Sequence, residues 1–154
     1  MATSAGTSLL FTNSRNSATC STESSIPSHP ATQDQVTLTE SRDTSGSGYP
    51  FVIVRVEDGR PLGTVGLWLK ESDEGRASLG YWVVGSARGQ GVAAEALRAV
   101  AAWALGDLQI PRLQLYVEPW NAASQRTAER VGFRREGLLR SCRSVQRRRR
   151  GYSK

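Results

Sequence analysis

VVGSARGQGVAAEAL, Val83 to Leu97, is the stretch that decides the fold. Two β-branched residues give way to small ones, then to Arg88-Gly89-Gln90-Gly91, then to an alanine-rich run of helix formers. A strand that passes into a helix through such a loop leaves the first N–H groups of that helix unpaired and pointing outward. The helix dipole adds a positive field, the glycines let a backbone come close, and Arg88 can supply a bidentate charge. The junction suits a phosphate or pyrophosphate. A plain glycine turn with a solvated arginine fits the same residues equally well. The loop does not match GxGxxG, and no lysine followed by Ser or Thr makes it a Walker A loop, so nucleotide hydrolysis is disfavoured.

Outward from the loop, the pattern alternates between the two periods of regular structure. YPFVIVRV from Tyr49 is a β-branched run closed by EDGR, whose Asp58-Gly59 pair favours a tight hairpin turn. GTVGLWLKE, the polar break SDEGR and ASLGYWVV follow, which reads as an antiparallel three-strand meander. From Gly91 to about Leu105, Val92, Ala96, Val100 and Trp103 recur at helical spacing, with Gly106 as the stop. RLQLYVE is a strand, Asn121 to Arg130 a second helix opened by an Asn cap, and FRREGLL a last short strand. The order βββ-α-β-α-β predicts an α/β fold with a mixed sheet.

The rest of the chain bounds the reading. At 154 residues it fits one domain. Residues 1–48 are Ser/Thr-rich, with a proline-punctuated SIPSHP segment; such composition buries little apolar surface, which predicts a poorly ordered or divergent segment with at most a short helix at 31–42. Its Met-Ala start and many serines also resemble an organellar transit peptide. The formal charge of +6 is unevenly placed, because residues 134–154 hold nine Lys+Arg against one acid and the remainder nets −2. Cys20 and Cys142 share no ligand spacing, and no metal site is expected. No apolar run approaches the roughly 20 residues that a bilayer span needs. A cytoplasmic protein with no membrane association is the expectation.

Taken together, RGQGVA at Arg88 to Ala93, LGYWVV before it and WNAASQRTAERVGFRREGLLRS after it resemble the GCN5-related N-acetyltransferase (GNAT) family, in its RimJ/RimL-like branch. The resemblance runs from Tyr49 to about Arg143, so residues 49–143 would be the acetyl-CoA-binding domain and 144–154 a basic tail. It implies a mostly antiparallel mixed sheet flanked by helices, with the strands Leu79 to Val84 and Arg112 to Val117 splayed apart around the pantetheine arm. Backbone groups of Tyr81, Trp82, Val83 and Val84 would bond that arm and polarise the thioester carbonyl. Arg88, Gly89, Gln90, Gly91, Val92 and Ala93 would hold the pyrophosphate, and Asn121 would bond the arm near its thiol end. Ser124, one turn later, would protonate the leaving thiolate, Ala128 standing where many relatives carry a tyrosine.

The chain departs from that pattern in three places. Relatives often have a glutamate where Ser78 stands, which leaves Glu118 as the foremost general-base candidate, with Glu71 and Glu74 behind it. Asn121 serves equally as a helix cap, and Ser124, Glu118 and the other carboxylates fit ordinary surface positions. No counterpart of the relatives' first strand and helix is evident in residues 1–30, and the final strand that follows their arginine-rich stretch is missing after QRRRRGYSK. Phe133 to Leu139 is therefore expected to form an exposed edge. His29 reads as inert, Trp68, Trp82 and Trp103 as core, and Trp120 as a wall of the acceptor groove.

Two functions remain open at this stage. One is acetyl transfer from acetyl-CoA to a primary amine, either a protein N-terminus or a small molecule. The other is a shortened non-catalytic relative whose arginine tail makes weak, sequence-blind contact with RNA or ribosomes.

Overall fold

The computed structural model describes residues 8–14, 35–40, 47–69 and 74–140. Along them run β1 (Ser8–Ser14), β2 (Val36–Glu40), β3 (Gly48–Arg55), β4 (Pro61–Trp68), β5 (Arg76–Val83), α1 (Val92–Gly106), β6 (Arg112–Val117), α2 (Ala122–Arg130) and β7 (Arg134–Leu139). All seven strands join one sheet in the order β2-β3-β4-β5-β6-β1-β7. Every neighbouring pair is antiparallel except β5 with β6, which α1 connects in a parallel crossover. The expected mostly antiparallel α/β sheet is what forms.

The meander β3-β4-β5 follows from alternation and one turn. At the predicted Asp58-Gly59 corner, Gly59 adopts φ +69° and donates its N–H to the Arg55 carbonyl at 3.0 Å. Val65 and Leu67 of β4 and Ala77 and Leu79 of β5 are buried on one face, which is the face the helices cover. Helix α1 lays its predicted stripe against them, with Val92, Ala96, Val100 and Trp103 all at most 4% exposed. The Trp103 ring meets Tyr49 and Phe51 edge-on, at centroid distances of 5.1 and 5.8 Å, and so ties the helix to β3. Of the four tryptophans, only this one is core; Trp68, Trp82 and Trp120 are exposed.

The N-terminal expectation is corrected here. Residues 1–48 contribute two strands, and the predicted helix near 31–42 is instead the strand Val36–Glu40, which pairs with β3 from Val36↔Arg55 to Glu40↔Phe51. Val36 and Leu38 face the core while Thr37 and Thr39 face away, a strand alternation that outweighs the polar surroundings. The larger surprise is β1. It inserts between β6 and β7 and pairs antiparallel with both, from Leu9↔Val117 to Ser14↔Arg112 on one side and from Ser8↔Leu139 to Thr12↔Arg134 on the other. Leu9 and Phe11 are fully buried, at 2% and 0% exposure. Strand β7 pairs with β1 on one side only and ends the sheet among the described residues, so the exposed edge expected at Phe133 to Leu139 is what forms, with β1 inserted behind it. The boundary at residue 49 does not divide the fold, since both N-terminal strands share the sheet and core of the rest. Glu71, Cys20, Cys142, His29 and the basic tail lie outside the described residues.

Candidate active site

The site is built where β5 ends. Strands β5 and β6 are in parallel register from Arg76↔Arg112 to Leu79↔Leu115, and there the ladder stops although both strands continue. Beyond it, β5 stays paired with β4 as far as Gly63↔Val83, and β6 with β1 as far as Leu9↔Val117. The two strands therefore part at Gly80 and Tyr116. Along Gly80 to Val83 the backbone groups facing β6 have no strand partner over roughly 13 Å, at about 3.3 Å per residue. Tyr81, Trp82, Val83 and Val84 sit on this lip.

Directly after the lip comes the loop. Gly89 and Gly91 take φ +75° and +81°, a conformation that L side chains rarely adopt, and a Cβ at either would meet open space. Nothing crowds the concave side of the turn. Gly91 is the N-cap of α1 and gives no side-chain cap, and the first intrahelical bond recorded there runs from Glu95 N–H to Gly91 O at 3.0 Å. The N–H groups of Val92 and Ala93 belong to the first turn, where a helix has no acceptor of its own to offer. Gln90 is held by donating its amide to Ser86 O at 2.9 Å, while the exposed Arg88 donates Nε to Val83 O at 3.3 Å. Loop and lip are thus fastened to each other. The fit to an anion is sound: a bare helix N-terminus, two glycines at left-handed φ and one guanidinium.

Two polar atoms on the flanking elements are buried without a hydrogen-bond partner, the Tyr81 hydroxyl on β5 and Glu95 Oε1 in the first turn of α1. Buried polar groups are normally paired, so these mark the junction as polar beneath its surface.

Helix α2 brings the second set of residues. Asn121 is its N-cap, and Asn121 Oδ1 accepts the Ser124 backbone N–H at 3.1 Å. The capping role is therefore real; the cap uses the oxygen and leaves the amide nitrogen for another acceptor. Ser124 is half-buried on the same turn. Glu118, at the end of β6, is exposed, and its carbonyl accepts the Asn121 N–H at 2.9 Å, which locks the strand-to-helix corner. Ala128 is fully buried against the core. Glu74 is not brought to the gap: it precedes β5 at the far end of the strand and is ion-paired with Arg76. Trp120 stands beside Asn121 at 77% exposure.

Sequence reasoning missed residues on the sheet face away from the helices. Thr12 of β1 and Arg112 of β6 both engage the Glu136 carboxylate of β7, with Thr12 Oγ1 donating to Oε1 at 2.5 Å. Beside them Tyr116 donates its hydroxyl to Gln114 Oε1 at 2.9 Å. No motif signals this row, because its members come from strands that only the register brings together.

A mixed sheet with one splayed parallel pair, and a glycine loop that opens a helix above the splay, define an acyl-CoA transferase type of fold. Residues 9–134 match the family described as the acetyltransferase (GNAT) domain, and the chain belongs to that family. It is 32% identical over 107 residues to the probable N-acetyltransferase YjcK of Bacillus subtilis, covering 69% of this chain and 59% of that protein. Among solved structures, it is similar to Mycobacterium smegmatis RimJ in complex with a CoA disulfide, at 35% identity and a TM-score of 0.56, over 61% of this chain and 44% of that one. RimL, a ribosomal alpha-N-protein acetyltransferase in complex with coenzyme A, is similar at 26% identity and a TM-score of 0.55, over 60% of this chain and 51% of the other. The chain thus spans between 44% and 59% of the length of these relatives. The family match begins at Leu9, inside the stretch that the sequence reading set apart.

Proposed function

We propose that the chain transfers acetyl from acetyl-CoA to a primary amine by direct attack. The observation that carries this reading is the parting of β5 from β6 after Leu79↔Leu115, beneath a helix N-terminus bare of any side-chain cap. An arm bound in the gap would lie against the side of Gly80 to Val83 that has no β6 strand partner, where the Val83 carbonyl already accepts from Arg88 Nε. Its pyrophosphate would meet Arg88 to Ala93, and the Asn121 amide would bond it near the sulfur. Backbone N–H groups of the lip would stabilise the oxyanion as the amine adds to the thioester carbonyl. When the tetrahedral intermediate collapses, the C–S bond breaks and Ser124 gives the thiolate a proton. The amine proton passes to water or to Glu118, which no carboxylate at position 78 displaces. Similarity to RimL, an alpha-N-protein acetyltransferase, supports a protein N-terminal amine as acceptor, with a small-molecule amine as the alternative.

The test is thermal. Acetyl-CoA at 100 times its Kd stabilises a protein by about 2.7 kcal/mol, which for a domain of this size raises Tm by roughly 5–10 °C. Arg88→Ala should remove most of the rise. No shift at millimolar acetyl-CoA refutes the reading, and a shift without release of free CoA in the presence of amines favours the non-catalytic alternative.

A further inference from the structure

The sheet face away from the helices holds a feature that the site above does not use. Along β4, Val65 and Leu67 turn inward, which sends Thr64, Gly66 and Trp68 outward. The register pairs Thr64↔Trp82, Gly66↔Gly80 and Trp68↔Ser78 put Ser78, Gly80 and Trp82 on the same open face. The Trp68 indole does not stand up from the sheet. It lies back across two glycines, so that a Cβ at Gly66 would fall 2.6 Å from its Cη2, and one at Gly80 3.1 Å from its Cζ3. Any side chain at these two positions would occupy the bed of the ring. The bed is at Gly80, where β5 leaves β6, so the ring borders the gap and keeps 38% of its surface exposed.

Both helices and the glycine loop occupy the other face, so an acceptor must come to the gap from this one. The outward residues of β4 and β5 described here include no carboxylate, Glu118 lies exposed just beyond β6, and the arginines at the closed end, Arg76 and Arg112, are ion-paired with Glu74 and Glu136. Around Trp68 a polycationic amine finds no row of counter-charges, whereas an apolar group finds a flat aromatic surface. Resting on the acetyl-transfer reading, we propose that Trp68 selects the acceptor: its indole is the floor on which the apolar first side chain of a peptide N-terminus stacks while the amine enters the gap.

The experiment titrates the full chain, saturated with CoA, with a hexapeptide beginning Leu-Ser, its counterpart beginning Gly-Ser, and spermidine, by calorimetry. The Leu peptide should bind roughly tenfold tighter than the Gly peptide, as an apolar pocket discriminates side chains of different size. Spermidine should bind more weakly than either. Trp68→Ala should abolish the difference between peptides with CoA affinity unchanged, and Trp68→Phe should keep most of it. Gly66→Ala, on β4 and outside the gap, retains the ring but pushes it off its bed, and should weaken the Leu peptide selectively. Equal affinity for the two peptides, tightest binding of spermidine, or a Trp68→Ala effect as large on CoA as on peptide overturns the proposal. If CoA itself fails to bind, the acetyl-transfer reading falls. The same titrations on the chain alone then decide the floor: a Trp68-dependent Leu preference upholds it, and no preference overturns it.

Discussion

Replacing Phe11 with alanine should destabilise the chain by about 4 kcal/mol, although Phe11 lies in a stretch whose composition reads as poorly ordered. The side chain is 0% exposed and sits in β1 between β6 and β7, opposite Leu115 and Arg135. Truncation removes roughly 100 Å² of buried apolar surface, or about 2.5 kcal/mol at ~25 cal/mol per Å². A residual cavity of roughly 70 Å³ adds about 1.7 kcal/mol at ~24 cal/mol per Å³. That total is a large share of the 5–15 kcal/mol typical of a domain. The assay is urea unfolding followed by tryptophan fluorescence. With m near 2 kcal/mol/M the midpoint should drop by about 2 M without a change in m. Leu138→Ala, at a side chain 49% exposed on β7, is the control and should cost no more than about 1 kcal/mol. A Phe11→Ala midpoint within about 0.5 M of the parent would mean that β1 does not occupy the slot between β6 and β7, and the topology would have to be redrawn.

Three further outcomes follow from the site. Gly91→Ala should cost about 1–2 kcal/mol in urea unfolding, because its φ of +81° is strained for any L side chain, and should weaken acetyl-CoA binding in calorimetry. Asn121→Ala should lose roughly 1 kcal/mol of cap energy, whereas Asn121→Asp keeps the acceptor oxygen and restores stability; if the amide bonds the arm, neither variant recovers acetyl-CoA affinity. Ser124→Ala should leave acetyl-CoA affinity unchanged while lowering kcat roughly 100-fold in a thiol-release assay, and an unchanged kcat would remove the serine from the reaction.

What could be read from the residues was whatever is written locally. The meander, both helices and the Asp58-Gly59 turn each carry their signal within a dozen residues, and so does the strand-to-helix loop at Arg88 to Ala93. Strand β2 was legible too: VTLTE alternates, but its polar neighbours drew it toward a helix assignment. Strand β1 was not. SLLFTNS holds three consecutive apolar residues without a strand period, and its two partners lie a hundred residues downstream, so no window around it records what it pairs with. The Trp68 platform was misjudged for a different reason. A tryptophan in an apolar strand looks like core, yet Val65 and Leu67 already fix the inward parity and leave Trp68 outward. The candidate site shows the same division: the loop and the Asn121 cap are contiguous in sequence, whereas Thr12, Arg112 and Glu136 meet only through register.

The central place of β1 also sets a schedule for synthesis. Ser8 pairs with Leu139, so β1 must wait for a partner made about 130 residues later. At roughly 5–20 residues per second the delay between them is on the order of 6–25 s, with Leu9 and Phe11 unburied throughout. Such distant pairing slows folding, because loop closure is met before any contact repays it. A nascent chain of this protein is thus open to chaperones, or to aggregation, until β7 has left the ribosome.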